Sequence, residues 1–199
     1  HYMRKTANIK KVSTPHSPKL TQAIEQKKFG IFLHIFYPEL AKTIADYLAK
    51  IPVKIDIYIS TTEKAVDEIA KTFRRLDNSE HVQVKSFSHT GRDVAPFVVG
   101  FRTEILKSDF ILKLPSKKSP HSGALSGWFE HCLDNLIGSK DVFYTNMLEL
   151  TNNDTAIIYP VENYALSLGI KHDSCWGHED GNYDKAKPLL DTLNLKHIN

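Results

Sequence analysis

The chain has 199 residues, of which 41% are hydrophobic and 25% charged, and its formal net charge is +3 at pH 7. This composition excludes a disordered chain, and so mild a charge without a long basic run argues against a nucleic-acid partner. No apolar run approaches the roughly 20 residues that cross a bilayer, and no secretory signal is recognisable, so we expect a cytoplasmic protein.

The N-terminal residues 1–28 differ from the rest of the chain. They are basic, contain Pro15 and Pro18 and show little periodicity, which predicts a mobile or peripheral arm. A solvated tail is a simpler interpretation of this arm than a membrane-binding segment. We predict that residues 29–199 form a single α/β domain.

From Phe29 onward, segments with strand and helix patterns alternate. A continuous apolar run at 30–36 predicts a strand buried on both faces, and apolar residues at helical spacing over 39–50 predict a crossover helix. The next strand, 54–59, leads into a capping-box pattern at Ser60–Glu63 and a second helix. The same alternation predicts a strand at 81–87, a helix at 94–107 and a strand at 110–114. These elements predict an open, mainly parallel sheet flanked by helices, a Rossmann-like fold.

The remaining elements rest on shorter patterns. Helices are predicted at 128–137 and 142–150, followed by a buried strand at 155–159 that Pro160 ends, and by a short helix near 187–195.

Cationic and hydroxylic residues concentrate where the predicted strands end. In open parallel sheets, ligands bind at the carboxyl ends of the strands. A turn at Gly91 that leads into a helix offers backbone N–H groups, and the neighbouring cations Arg92, Lys113, Lys117 and Lys118 suit a phosphate or pyrophosphate. A site that holds a divalent cation usually has a pair of aspartates at the end of the fourth strand. This chain has lysines at that place, so a metal is not implied.

Two side chains in this region have several possible roles. Lys113 lies inside an apolar strand, where burial without a partner would be costly. Asp93 could pair with Arg92 or Lys113, cap the following helix, or bind a sugar hydroxyl or base, and capping or pairing is the simplest role. His34, within the first strand, is interpreted as a core histidine whose hydrogen bonds are satisfied.

The loop from His172 to Asp180 also has alternative interpretations. His172, Cys175 and His178 could bind zinc, although a closed structural site needs a fourth ligand. Alternatively, Glu179 or Asp180 could act as a carboxylate base toward a hydroxyl nucleophile. A polar surface loop is the simplest interpretation.

Several blocks of sequence, taken together, resemble one protein family. Phe32–Leu40, Ile55–Thr61, the Gly-Arg-Asp block at 91–97 and the Ser-Lys-Lys-Ser block at 113–119 resemble, in this order, the rhamnan synthesis protein F family. The resemblance covers residues 29–160. It implies a glycosyltransferase of cell-surface polysaccharide synthesis, with a type-A glycosyltransferase fold in which the nucleotide-sugar lies across the strand ends. It also implies a further segment after Asn199.

Our hypothesis of a sugar transferase gives each candidate residue a role. The donor diphosphate would be held by Arg92, Lys113, Lys117 and Lys118, with Ser116 ordering the pocket. The catalytic carboxylates would be Asp180, which would activate the acceptor hydroxyl, and Asp93, which would order the site. No cofactor is implied beyond the nucleotide-sugar substrate. The acceptor would be a polysaccharide or a lipid-linked glycan, reached by peripheral association with the inner face of the cell membrane. The alternative is a noncatalytic carbohydrate or phosphoglycan-binding module.

Overall fold

The computed structural model describes residues 18–87, 91–116, 127–151 and 155–160, together with Pro188. The chain divides into two compact units, His1–Lys118 with Phe129–Pro160 and Ser119–Trp128 with Val161–Asn199. Nearly all described residues belong to the first unit. The single domain expected over 29–199 stays a prediction.

The first unit is built on a four-stranded, all-parallel sheet with the strand order β3-β2-β1-β4. Its strands are β1 (Phe29–Ile35), β2 (Ile55–Thr61), β3 (Ser79–Ser86) and β4 (Phe110–Pro115). The helices are α1 (Pro18–Glu25), α2 (Ala41–Leu48), α3 (Val66–Phe73), α4 (Arg102–Ile105), α5 (Trp128–Ile137) and α6 (Lys140–Thr151). The predicted fold class, a parallel sheet flanked by helices, is confirmed.

One face of the sheet, the helical face, carries the main core. Side chains alternate between the two faces of a strand, and Ile31, Leu33 and Ile35 of β1 pack on this face with buried residues of α2, α3, α5 and α6. Ile24 of α1 is only 1% exposed and belongs to the same core. Residues 18–25 of the predicted arm therefore pack on the domain as a helix, and this part is not a solvated tail.

The opposite face, the aromatic face, has a smaller core. Phe32 of β1 stacks on Tyr58 of β2 with ring centroids 5.0 Å apart, and Phe101 packs against both. The segment covering this face is not the continuous helix predicted over 94–107. A π-helical turn, Pro96–Gly100, precedes α4. A Cβ atom at Gly100 would lie 2.2 Å from Cζ of Phe87, so any larger residue would require this ring to move.

The predicted capping box at Ser60–Glu63 is wrong. Ser60 and Thr61 belong to β2, and their hydroxyls donate to the carbonyls of Leu33 and Ile35 in β1. A short 3-10 turn, Glu63–Ala65, begins after Thr62 without a side-chain cap. The hydroxyls therefore bind the neighbouring strand instead of a helix N-terminus.

The predicted buried strand at 155–159 is also wrong. This segment has no strand structure, and Ile157 and Tyr159 are 77% and 76% exposed. Residues 155–158 instead line a cleft of about 470 Å³ beside β1, β4, α5 and α6. An apolar run of this length predicts proximity to the core, and it does not by itself show that the chain pairs with the edge of the sheet. The helix predicted near 187–195 lies outside the described residues, apart from Pro188.

Candidate functional site

The carboxyl ends of all four strands lie at one edge of the sheet because the strands are parallel. The chain leaves β1 at Phe36, β2 at Thr62 and β4 at Ser116 along this carboxyl edge. The turn Gly91–Asp93 lies over the same region, since Asp93 contacts the β4 residue Lys113. Four predicted site residues, Arg92, Asp93, Lys113 and Ser116, are thus described, and each lies on β4, directly after it, or in this turn.

Ser116 fixes the shape of the edge. Its side chain is buried, and its Oγ accepts hydrogen bonds from the backbone N–H groups of Phe36, at 2.9 Å, and Tyr37, at 3.3 Å. Its own N–H donates to the carbonyl of His34 at 2.7 Å. Ser116 therefore ties the loop after β1 to the end of β4, and it acts on the site through the backbone.

His34 and Ser60 form the floor beside this tie. Nδ1 of His34 lies 2.8 Å from Oγ of Ser60, and that hydroxyl also lies 3.2 Å from the carbonyl oxygen of Leu33. If the hydroxyl donates to the carbonyl, Nδ1 of His34 carries a proton and donates to Ser60. Nδ1 of His34 therefore has a hydrogen-bond partner, but the ring is only half-buried and reaches a crevice at the carboxyl edge, so His34 is not fully within the core.

The turn that carries Arg92 has an uncommon backbone. Gly91 and Arg92 both have positive φ angles, 79° and 49°, in the left-handed region that disfavours side chains with a Cβ. The Gly91 carbonyl accepts hydrogen bonds from the N–H groups of Val94 and Ala95, both at 3.1 Å. The Arg92 side chain is exposed and forms no ion pair with any residue in the described part of the chain. Its guanidinium is available to an anion.

Lys113 and Asp93 form an ion pair. The Nζ atom of Lys113 donates to Oδ2 of Asp93, and both side chains are about two-thirds buried, with 33% and 28% exposed. Lys113 also lies 5.8 Å from the ring centroid of Phe97. The prediction that Lys113 needs a partner is confirmed, and of the roles open to Asp93 the pairing with Lys113 is the one found.

Asp93 is ionised at neutral pH. Burial is the largest single influence on its carboxyl and would raise the pKa, but the hydrogen bond and the charge of Lys113 outweigh it. The backbone N–H of Asp93 and the nearby His34 add to the lowering, so the pKa falls below its usual value. A carboxylate with a low pKa is a weak general base, so this environment suits positioning and hydrogen-bond acceptance better than proton abstraction.

These groups line a narrow crevice between the aromatic face and the segment above it. Its walls include His34, Ser60, Asp93, Lys113 and the ring of Phe97. The enclosed volume is about 10 Å³, close to the minimum for one water molecule. The crevice therefore has room for about one water molecule and no larger ligand.

A second lysine on the aromatic face is absent from the predicted site. Lys85 of β3 lies in register with Ser60, its Nζ donates to the Gly100 carbonyl at 2.9 Å, and it lies 3.8 Å from Glu104. Its ammonium is also 4.7 Å from the ring centroid of Phe101. Lys85 thus holds the π-helical turn on the sheet, on the β3 side, as Lys113 holds the preceding turn on the β4 side.

The other predicted residues lie outside the described part of the chain. These are the cations Lys117 and Lys118, the carboxylate Asp180 and the zinc candidates His172, Cys175 and His178. In the described ranges, no cluster of three or more His, Cys, Asp or Glu side chains could hold a metal ion. Helices long and apolar enough for a membrane span are likewise absent from those ranges.

Comparison with known proteins identifies a family. Residues 7–199 match the family described as rhamnan synthesis protein F. No curated protein and no solved structure matches the chain significantly. The family resemblance found in the sequence is confirmed, and it extends over nearly the whole chain.

Proposed function

We propose, on the premise that the chain belongs to the rhamnan synthesis protein F family, that it is a glycosyltransferase. Membership gives a role in rhamnan synthesis and so in polysaccharide synthesis. Within that role, the protein would transfer a sugar from a nucleotide-sugar to a polysaccharide or lipid-linked glycan. The observation that carries it is the left-handed turn at the carboxyl edge, which presents Arg92 without an ion-pair partner among the described residues, next to the Asp93–Lys113 pair.

The charges at this edge suit a diphosphate. A guanidinium can donate two parallel hydrogen bonds to phosphate oxygens, and Arg92 is exposed to do so. The charge of Lys113 is shared with Asp93, so a diphosphate would compete with the carboxylate for it. Lys117 and Lys118 follow Ser116 directly in the sequence and would add two further cations. These cations would stabilise the charge that develops on the departing diphosphate, which lowers the barrier.

The two proposed carboxylates have different roles. Asp93, with its lowered pKa and its bond to Lys113, would position the lysine and accept hydrogen bonds from a sugar. Asp180 is proposed from the sequence alone as the base for the acceptor hydroxyl.

Isothermal titration with nucleoside diphosphates tests the donor site. Arg92→Gln and the double variant Lys117→Ala/Lys118→Ala should each weaken binding about tenfold or more, as expected for a lost charge-assisted hydrogen bond. Arg74→Gln, an exposed arginine just after α3, is the matched control and should leave Kd unchanged. Equal affinity in all variants would remove this edge from the donor site.

A noncatalytic glycan-binding module is the second candidate. It is supported by the small volume of the described crevice and by the compensated charge of Lys113. Incubation with nucleotide-sugars and oligosaccharide acceptors separates the two functions. Release of nucleoside diphosphate that depends on acceptor supports transfer, whereas glycan binding without release supports the module.

A further inference from the structure

The segment that covers the aromatic face turns aliphatic side chains toward solvent. Val94, Val98, Val99 and Leu106 are 55%, 49%, 75% and 76% exposed. They account for half of the large hydrophobic side chains that are exposed among the described residues. Such a concentration in one short segment marks an interaction surface more often than scattered exposure does.

Basic side chains follow the same outward surface. Two basic residues lie in the same short segment as the exposed aliphatic side chains. Arg102 and the neighbouring Lys107 are both exposed. We call Val94, Val98, Val99, Arg102, Leu106 and Lys107 the outer ridge.

The acidic side chains of this segment point the other way. Between residues 91 and 107 the sequence contains two acids, Asp93 and Glu104. Asp93 pairs with Lys113 and Glu104 lies 3.8 Å from Lys85, and both lysines belong to the sheet beneath. The outer ridge therefore combines aliphatic groups and positive charge without a carboxylate.

We propose that the outer ridge binds a bilayer surface that contains anionic lipid. The ridge is part of a surface segment, its apolar members are valine and leucine, and the aromatic rings of the segment, Phe97 and Phe101, pack inward. Insertion into the head-group region needs exposed apolar area and basic charge but no complementary shape, and the ridge offers both. Anionic head groups would complement Arg102 and Lys107, while the exposed valine and leucine side chains would supply the apolar area.

Membrane binding by this ridge would also place the candidate site. The ridge runs from Val94, directly after Asp93 at the carboxyl edge, to Lys107, close to the start of β4, so its Val94 end would bring Asp93 close to the lipid head groups. An acceptor carried on a lipid would be within reach there. The binding itself does not depend on donor binding or on transfer, so the failure of either proposal leaves the other standing.

Vesicle co-sedimentation tests the ridge. The full chain should bind vesicles of phosphatidylcholine with about one third phosphatidylglycerol at least tenfold more strongly than pure phosphatidylcholine vesicles. Binding should fall when salt is raised to about 0.5 M. Each basic residue near an anionic surface contributes about fivefold, so Arg102→Gln/Lys107→Gln should weaken binding about 30-fold. Val98→Ser/Val99→Ser should also weaken it, because these substitutions remove apolar area without changing charge.

The matched control carries the same charge change on the other side of the sheet. Lys71 and Arg74 are exposed at the end of α3, which packs on the helical face, and Lys71→Gln/Arg74→Gln should leave vesicle binding nearly unchanged. Equal losses in both double variants would show a net-charge effect and overturn the proposal. Absence of wild-type binding to anionic vesicles would also overturn it and would leave an acidic protein as the partner of the ridge. Thermal unfolding of each variant checks that it is folded.

Discussion

Asp93 and Lys113 lie 20 residues apart in the sequence and form an ion pair that joins the left-handed turn to β4. The pair holds the turn in place, and it also neutralises a cation that would otherwise face an incoming phosphate. Asp93 therefore stabilises the carboxyl edge and weakens its attraction for anions. Removal of the carboxylate should lower the stability and raise the affinity for anions.

Asp93→Asn should raise anion affinity and lower stability. Without its carboxylate partner, Lys113 should strengthen the binding of a nucleoside diphosphate about fivefold, which corresponds to about 1 kcal/mol of binding free energy. The free energy of unfolding should fall by about 1 kcal/mol, between the values for exposed and fully buried pairs. Titration calorimetry and urea unfolding measure the two effects. Asp67→Asn, an exposed carboxylate in the first turn of α3, gives the control for net charge, and equal gains in affinity would refute the specific role of Asp93.

The same carboxylate predicts an acid-dependent loss of stability. Its pKa in the folded protein is below its usual value of 3.8, so its ionised form stabilises the fold. That contribution is complete above the usual pKa and is lost as the pH falls through the lower, folded-state pKa. The difference in unfolding free energy between the wild type and Asp93→Asn should be constant at neutral pH and should shrink below about pH 4. A difference that grows toward acid pH would contradict the assignment.

The order of elements could be predicted because apolar periodicity reports it directly. The buried run of β1 and the helical stripe of α2 were sufficient for a parallel α/β sheet. The errors came from residues with two competing uses. Ser60 and Thr61 are residue types that often cap helices, but their hydroxyls donate to β1 carbonyls. Ile157 is a residue type common in strands, but it lies exposed at a cleft.

The sequence predicted that Arg92, Asp93, Lys113 and Ser116 lie near strand ends, and their function stays a prediction. The position of Lys113 in an apolar strand was enough to predict that it has a partner. The sequence could not identify that partner as Asp93, because the pairing depends on where the turn lies in the folded protein. Lys85 was missed because a lysine in an alternating strand is usually solvated. Its partner, the Gly100 carbonyl, lies at the end of a π-helical turn that the sequence pattern did not indicate.

Ser116→Ala should destabilise the carboxyl edge. The buried hydroxyl accepts hydrogen bonds from the N–H groups of Phe36 and Tyr37, and both groups would lose this acceptor. We expect a loss of about 1–3 kcal/mol in unfolding free energy, together with weaker diphosphate binding. Ser79→Ala removes a single bond to the Leu76 carbonyl at the opposite end of the sheet and should cost less and leave binding unchanged. Ser116→Ala with the stability of the wild type would contradict this role.

Tyr47→Phe should remove a tie between α2 and α5. The Tyr47 hydroxyl donates to Oδ1 of Asp134 at 2.7 Å, and this bond, with burial and the carboxylate charge, raises the tyrosine pKa to about 12. The contribution of this hydrogen bond to the stability of the fold is therefore complete below the usual tyrosine pKa of 10 and is lost as the pH rises through about 12. We expect the variant to be less stable by about 1 kcal/mol at neutral pH, with a difference that shrinks at strongly alkaline pH. Tyr159→Phe, at an exposed tyrosine, should show no difference at either pH.

Gly91→Ala should disturb the turn through two separable effects. The positive φ of 79° disfavours alanine, and the added Cβ would lie 2.3 Å from Cβ of Ala95. Gly127 has a similar φ of 75° with nothing within 4 Å of the added atom, so Gly127→Ala measures the backbone cost alone. We expect about 1 kcal/mol for Gly127→Ala and about 2–4 kcal/mol for Gly91→Ala, because the close contact adds to the backbone cost. Urea unfolding measures both values. Since the Gly91 carbonyl holds the N–H groups of Val94 and Ala95, only Gly91→Ala should also weaken diphosphate binding, and equal costs in the two variants would show that the contact with Ala95 is relieved without strain.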